Sequence, residues 1–392
     1  MRSRTTVTPF ASLGDGATRS FGMLSSFPPT ACGIATFSAA LAAGLVANGV
    51  DVDVVRCGAA PELEDSLVVA AFGDTASGRG EAIDALNRTD VAIIQHEYGI
   101  YDGDDGEAVV PLIEGLAVPT VVVAHTVVRN PTAHQRSVLE QVCGAADAVV
   151  VMTQSARDRL IESFDVEAAK VSVIAHGATT PMGVSLQSIR SPVRPKRLLS
   201  WGLLGPGKGI EWAIDALAAL SDLRPHPTYL IAGATHPKVL ARNGEAYREM
   251  LMARARSAGV VPYVSFDDTY RRLVDLTELI SSADVVVLPY DSVEQVTSGV
   301  LVDAVAAGRP VIATAFPHAV ELLGSGAGIV VPQRDPDALA AAMRSVLSDD
   351  ARYAEMAAEA RRLAPELSWE AIAGRYEALA DGLIGSRQPV RA

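Results

Sequence analysis

Lysine is almost missing from this sequence. Only four occur in 392 residues (Lys170, Lys196, Lys208 and Lys238), although Lys and Arg together number 33. Positive charge as a whole is in deficit, because 46 acidic residues leave a formal charge of -13. A nucleic-acid polymer is held by a basic surface, so no nucleic-acid partner is expected. The same balance argues against a strong hold on anionic lipid. Cysteine is equally scarce: Cys32, Cys57 and Cys143 are too few and too scattered for a disulfide framework or a zinc site. With no clustered Cys/His spacing, no metal is predicted. No apolar run reaches the ~18 residues of a membrane-crossing helix. Residues 1–20 lack the apolar segment of a signal peptide and read as a disordered tail, which predicts a cytoplasmic protein. A G-x-S-x-G elbow, a Ser-His-Asp pattern, a P-loop and a full GxGxxG after the first apolar run are all missing. These gaps disfavour serine hydrolases and nicotinamide dehydrogenases.

What is present is strand–helix alternation. At ~100–200 residues per domain the length suggests two domains, and the 49% hydrophobic composition is ordinary for a globular chain. Short apolar runs lie at 21–27, 51–57, 67–72, 91–95, 119–126, 148–152 and 171–175. A second series lies at 197–201, 228–232, 263–266, 284–289, 310–314 and 328–332. These runs are β-branched and apolar on both faces, as in parallel strands covered by helices on either side. Between the two series, 179–197 holds three prolines and the cluster RPKR without periodicity, and reads as a linker. The expected fold is α/β, with two doubly wound, Rossmann-like domains. Ligands of such sheets bind beyond the carboxyl ends of the strands, so the loops there carry the candidates.

One such loop is GLLGPGKG, where Gly205, Gly207 and Gly209 surround Lys208 and open a helix. Glycines permit close backbone approach, a helix start offers free N–H groups, and Lys208 adds a point charge. Together they suit a phosphate, although a Gly-rich turn with a solvated lysine has the same composition. A second loop, 291–310, enters a helix at about Val296. It offers Gln295, the hydroxyls of Thr297 and Ser298, Gly299, and Asp303 eight residues after Gln295. Its plainer reading is an N-cap by Thr297 or Ser298 with Asp303 solvated. In the first half His125, His96 and His176 each stand at a strand end, where they could contact substrate or serve only as structural hydrogen-bonding groups. Gly33, in the loop after the first run, could admit a phosphate or simply make a turn.

In sequence order, FPPTACGIATF, HEYGIYDG, VVVAHT, VVVMTQSA, VSVIAHGA, GLLGPGKGIE, ADVVVLPY, TSGVLVDAVAAGRPVIAT and LSWEAIAGRYEAL resemble the retaining GT-B glycosyltransferases of glycosyltransferase family 4, over about residues 21–384. Beyond the tail at 1–20, the resemblance implies an acceptor-side domain at 21–185 and a nucleotide-sugar domain at 186–367. Helix 368–385 is expected to pack back on the first domain. Lys208 matches the family's diphosphate lysine. The arginine that precedes it in the family falls near Leu203 here and is missing. The family's two signature glutamates fall on Gln295 and Asp303, with Glu294 as the alternative for the first. Val296, Thr297, Ser298 and Gly299 then occupy the family's donor contacts. His125 matches the histidine that faces the donor sugar, and Gly33 one glycine of the N-terminal loop, whose other glycine is Cys32 here.

The resemblance implies hexosyl transfer from a GDP-mannose or UDP-glucose type donor to a carbohydrate or small-glycoside hydroxyl. Transfer would be front-face and retaining, with no obligatory cofactor and no metal. His125, Lys208 and Gln295 would carry catalysis, while His96, Tyr98 and His176 would line the acceptor side. Three alternatives remain: a sugar-nucleotide-binding protein with weakened transfer, another GT-B enzyme such as a sugar-nucleotide epimerase, and peripheral membrane contact through the basic stretches 190–197 and Arg271–Arg272.

Overall fold

A computed structural model describes residues 19–30, 32–58, 65–73, 76–178, 194–269, 271, 273–292 and 297–387. Residues 1–18 of the expected tail, most of the linker, and Glu294, Gln295 and Val296 lie outside the described residues, and Ser20, expected in the tail, opens the first strand.

The first sheet holds β1 (Ser20–Ser25), β2 (Asp51–Cys57), β3 (Val68–Phe72), β4 (Val91–His96), β5 (Thr120–Ala124), β6 (Ala148–Val151) and β7 (Val171–Val173). Their order is β3-β2-β1-β4-β5-β6-β7, with every neighbour parallel. The second sheet holds β8 (Arg197–Trp201), β9 (Thr228–Ala232), β10 (Val264–Asp267), β11 (Val285–Leu288), β12 (Val311–Thr314) and β13 (Gly328–Val331). Its order is β10-β9-β8-β11-β12-β13, again all parallel. Strands β4, β5, β6, β11 and β12 are buried along their whole length, which is why their sequences run apolar without alternation. Each sheet reverses its winding beside its first strand, at β1/β4 and at β8/β11. The crevice at such a switch point is where a doubly wound sheet receives its ligand.

The helix Trp369–Arg387 lies on the first sheet rather than the second. Trp369, Ile372, Ala373, Tyr376 and Ala380 form one stripe at helical spacing and join the core of Phe21, Leu41 and Leu45. Gly44 makes the crossing possible, since a Cβ there would stand 2.6 Å from the Trp369 carbonyl oxygen. At its far end Arg387 grips Asp147 through two bonds of 2.8 and 2.7 Å.

Much of the basic character in the two candidate membrane stretches is engaged internally. Arg194 holds the fully buried Asp284 through two bonds of 2.8 Å, and Arg271 pairs with Asp267. Among the described residues no helix is long and apolar enough to cross a membrane.

Candidate functional site

Loops at the carboxyl ends of the two sheets meet one another. After β7, His176 rests against the helix Gly299–Ala306 that follows β11, with its ring 2.9 Å from where a Gly299 Cβ would stand. After β6, the main-chain N–H groups of Gln154 and Ser155 donate to Glu321 at 2.9 and 3.4 Å. After β4, Gly99 faces Lys238, in the first turn of the helix Pro237–Asn243 that follows β9, with the ammonium 3.1 Å from an ideal Cβ. The strand ends therefore enclose one cleft.

The first wall centres on Phe37, which sequence reasoning did not single out. Its ring meets His125, His176 and Trp369 edge to face, at centroid distances of 4.8, 5.1 and 5.0 Å. His125 Nε2 lies 2.7 Å from Gln95 Oε1, an acceptor, so the proton sits on Nε2 and Nδ1 is left as an acceptor. His176 donates from Nδ1 to the Gly177 carbonyl at 2.6 Å, which leaves its Nε2 as an acceptor beside Gly299. Burial in the wall holds His125 down to about 3 and His176 down to about 4. Both rings are neutral at pH 7.

The acceptor-side expectation for His96 needs correction. Its ring is fully buried behind Tyr98, neither nitrogen has a partner among the described residues, and burial lowers its pKa to about 4. The β4 register turns it into the packed layer, and its contribution is a carbonyl that accepts from the His125 N–H at 3.0 Å. The Tyr98 hydroxyl donates to the Gln135 carbonyl at 3.3 Å and so braces the loop. The polar group that faces the opposite wall from this stretch is Glu97, bonded by Thr126. Burial raises its carboxyl pKa, while bonds from Thr126 and Tyr98 and the charge of Lys238 oppose the rise.

The second wall is glycine and helix starts. Gly207 and Gly209 have φ of 92° and 62°, and a Cβ on Gly209 would lie 1.9 Å from the Pro289 carbonyl oxygen. Gly209 begins the helix Ile210–Ala218 without any side-chain cap; the Trp212 N–H donates to the Gly209 carbonyl at 3.0 Å, and the Ile210 and Glu211 N–H groups before it take no side-chain cap. Lys208 lies over the Tyr290 ring at 4.5 Å, and the Asp291 N–H donates to the Gly207 carbonyl at 3.1 Å. The loops after β8 and β11 are thus tied together at the switch point. An open hollow of about 600 Å³ flanks them, lined by Pro206, Gly207, Glu211, Tyr247, Asp291 and Arg334 among others.

The next helix begins at Gly299, not at about Val296 as its sequence suggested. Ser298 is its N-cap, with Oγ accepting from Leu301 N–H at 3.3 Å. The Ser298 N–H in turn donates to His318 Nδ1 at 2.9 Å, and burial holds His318 neutral with a pKa of about 3. Gly299 and Asp303 are one turn apart on the same face, and Asp303 is half-buried. Gly205 packs on Val239, and Gly33 opens the helix Gly33–Ala47. With His125, His176 and His318 neutral, positive charge in the cleft comes from Lys208, Lys238 and the helix starts, together with Arg334, which pairs with Asp291 at 3.2 Å.

Two doubly wound parallel sheets, with their strand ends and switch-point loops facing across one cleft, define the GT-B class of glycosyltransferase fold. Residues 31–180 match Glycosyltransferase Family 4, and residues 195–349 match Glycosyl transferases group 1. The chain belongs to this group 1 and family 4 glycosyltransferase superfamily. It is 28% identical to a D-inositol 3-phosphate glycosyltransferase of Corynebacterium glutamicum over 69% of this chain and 68% of that one. It is 30% identical to a glycogen synthase of Mycobacterium tuberculosis over 62% and 56% of the two chains. The chain thus spans about two thirds of the first relative's length and little over half of the second's. The solved Anabaena HepE in complex with UDP superposes with a TM-score of 0.72 at 17% identity, over 93% of this chain and 100% of that one.

Proposed function

We propose that the protein transfers a hexosyl group from a uridine diphosphate sugar to a hydroxyl of a carbohydrate or small-glycoside acceptor, with retention and without a metal. The observation that carries this reading is the opposition of Lys208 and an uncapped helix start on one wall to a neutral, Gln95-oriented His125 on the other. The uridine nucleotide is favoured over GDP-mannose because a UDP complex is known for a protein of the same fold.

In this reading the donor diphosphate lies against Lys208 and the N–H groups that open the helix Ile210–Ala218. Asp303 accepts from the ribose hydroxyls. Thr297, Ser298 and Gly299 approach the donor from the start of the next helix, and Gln295 completes that contact. His125, with its Nε2 proton committed to Gln95, presents Nδ1 to a hydroxyl of the donor sugar. The acceptor enters over the first-sheet loops.

The neighbours that orient His125 are an amide and aromatic rings, which set this histidine up to position a sugar. Front-face displacement suits such a wall. The bond from the anomeric carbon to the diphosphate oxygen breaks as the acceptor oxygen bonds to the same face, and the departing phosphate oxygen takes the acceptor proton. Catalysis is then positional and electrostatic.

The test is sugar transfer from UDP-hexoses by the wild type and by Lys208→Ala. Loss of one preorganised charge should lower kcat/KM by about 10²-fold or more with an unchanged melting temperature. Transfer within threefold of wild type would sink the reading. Tight UDP-sugar binding with no turnover in the wild type would favour the alternative of a binding protein.

A further inference from the structure

The missing arginine near Leu203 leaves the glycine loop with one cation where the family resemblance implies two. The neighbouring loop carries another. Beyond the sheet, the segments after β8 and β9 continue to run side by side. The Gly202 N–H donates to the Ala232 carbonyl at 3.0 Å, Leu204 N–H to Ala234 at 2.9 Å and His236 N–H to Leu204 at 2.8 Å. The loop after β9 is also pinned from behind. The nearly buried Arg248 donates to the Gly233 carbonyl at 2.6 Å and to Glu245 at 3.3 Å, and Thr235 bonds Glu245. At the end of this braced segment the His236 ring accepts from the Lys238 N–H at 3.1 Å. Lys238 is the second residue of the helix Pro237–Asn243, which His236 caps.

Three neighbours locate the Lys238 ammonium. Its charge, with that of Lys208, adds to burial in depressing the His236 pKa, so both lysines act on one ring. It lies 3.1 Å from an ideal Cβ of Gly99 on the opposite wall, and its charge reaches Glu97. The side chain is exposed, and no ion pair joins it or Lys208 to a carboxylate among the described residues. Two of only four lysines in the chain therefore flank one histidine at the cleft, in a protein whose basic residues are otherwise almost all arginines.

We propose that Lys238 is a phosphate-binding residue of the cleft, supplying from the start of the helix after β9 the second positive charge that position 203 lacks. The proposal rests on the nucleotide-sugar reading above. A compact ammonium on a four-carbon stem can meet a phosphate from either side of the cleft. The phosphate is either the donor's diphosphate or one carried by the acceptor.

The experiment compares wild type, Lys238→Met and Lys238→Arg at constant ionic strength. Calorimetry measures UDP and uridine, and then inorganic phosphate added to UDP-saturated protein as the probe of an acceptor phosphate. Lys238→Met should weaken one of the two phosphate-bearing probes tenfold or more, leave uridine within twofold, and be largely rescued in Lys238→Arg. Loss confined to UDP assigns the donor diphosphate; loss confined to inorganic phosphate assigns an acceptor phosphate. If the wild type binds UDP and Lys238→Met binds both probes as well, Lys238 is excluded and the nucleotide-sugar reading stands. If the wild type binds neither probe, both fall.

Discussion

Apart from Glu97, the wall contributed by the first sheet is made of rings and neutral hydrogen bonds, whereas the wall contributed by the second is made largely of glycines, helix starts and ammonium groups. Phe37, His125, His176 and Trp369 pack edge to face on one side, and the two rings that could be cations are held neutral by burial. On the other side Gly207 and Gly209 let the backbone turn where no side chain would fit, and Lys208 stands over an aromatic face. One topology has been used twice, with charge assigned to one copy and shape to the other. A sugar is read by hydroxyl positions and a diphosphate by charge, so under the function proposed above the division would match the two halves of a sugar nucleotide.

The most damaging single change should fall on the charged wall. Gly209→Ala combines a φ of 62° with a Cβ placed 1.9 Å from a carbonyl oxygen of the neighbouring loop. The expected cost is about 3 kcal/mol or more, read as a fall in urea midpoint. An unchanged midpoint would mean that the loop after β8 is soft, and that its wall is no more rigid by construction than any surface turn.

Acid should act on both halves. His96 lies in the first sheet and His318 beside the second, with pKa values of about 4 and about 3 in the folded protein. Both are depressed below the unfolded value of about 6.5. The unfolded chain therefore binds more protons once the pH drops below 6.5, and folding stability falls from there towards the folded pKa values. Between pH 6.5 and 5 each ring should remove about 2 kcal/mol. Stability measured at pH 7 and pH 5 tests this; a flat profile would show that these rings charge in place.

The sheets were legible in advance because their signal is local. Every apolar run became a strand to within a residue or two at its ends, most plainly in β4, β5, β6, β11 and β12, which are buried along their whole length. The helix after β11 was placed three residues early. The pattern TSGV shows that a helix is near, but the start depends on Ser298 bonding His318 twenty residues away. His96 was misjudged for a related reason. A histidine at a strand end can face either side, and sequence gives no sign of which. Phe37 was overlooked as one apolar residue in an apolar helix, and only the fold brings its three ring partners together. Lys238 had a usable signal in the lysine scarcity, but its meaning needed the loop after β9 laid beside the loop after β8.

Removing the shape-reading ring should cost less than removing charge. His125→Ala deletes an acceptor held by Gln95 and an edge contact to Phe37. About a tenfold loss in kcat/KM is expected, with UDP affinity unchanged. The measurement separates the walls: a larger effect on UDP binding than on transfer would place the nucleotide on the first wall and overturn the division.

Gly33 offers the smallest effect and the finest test. It begins the helix Gly33–Ala47 and has no positive φ, and an added Cβ would find nothing within 4 Å. The fold itself therefore has no need of glycine there. Ala should raise stability slightly, by about 0.5–1 kcal/mol, because it loses less backbone entropy in a helix. Cys32 just before it caps the helix only through sulfur, accepting from the Ala35 N–H at 3.3 Å, and so leaves this helix start weakly occupied. If a donor phosphate approaches here, Gly33→Ala should raise the donor KM severalfold in a protein that melts higher than wild type. Those opposite signs in stability and KM could not come from misfolding, and would show that the first wall also touches charge. If KM stays the same, the bare position is incidental and the diphosphate is handled by the second wall alone.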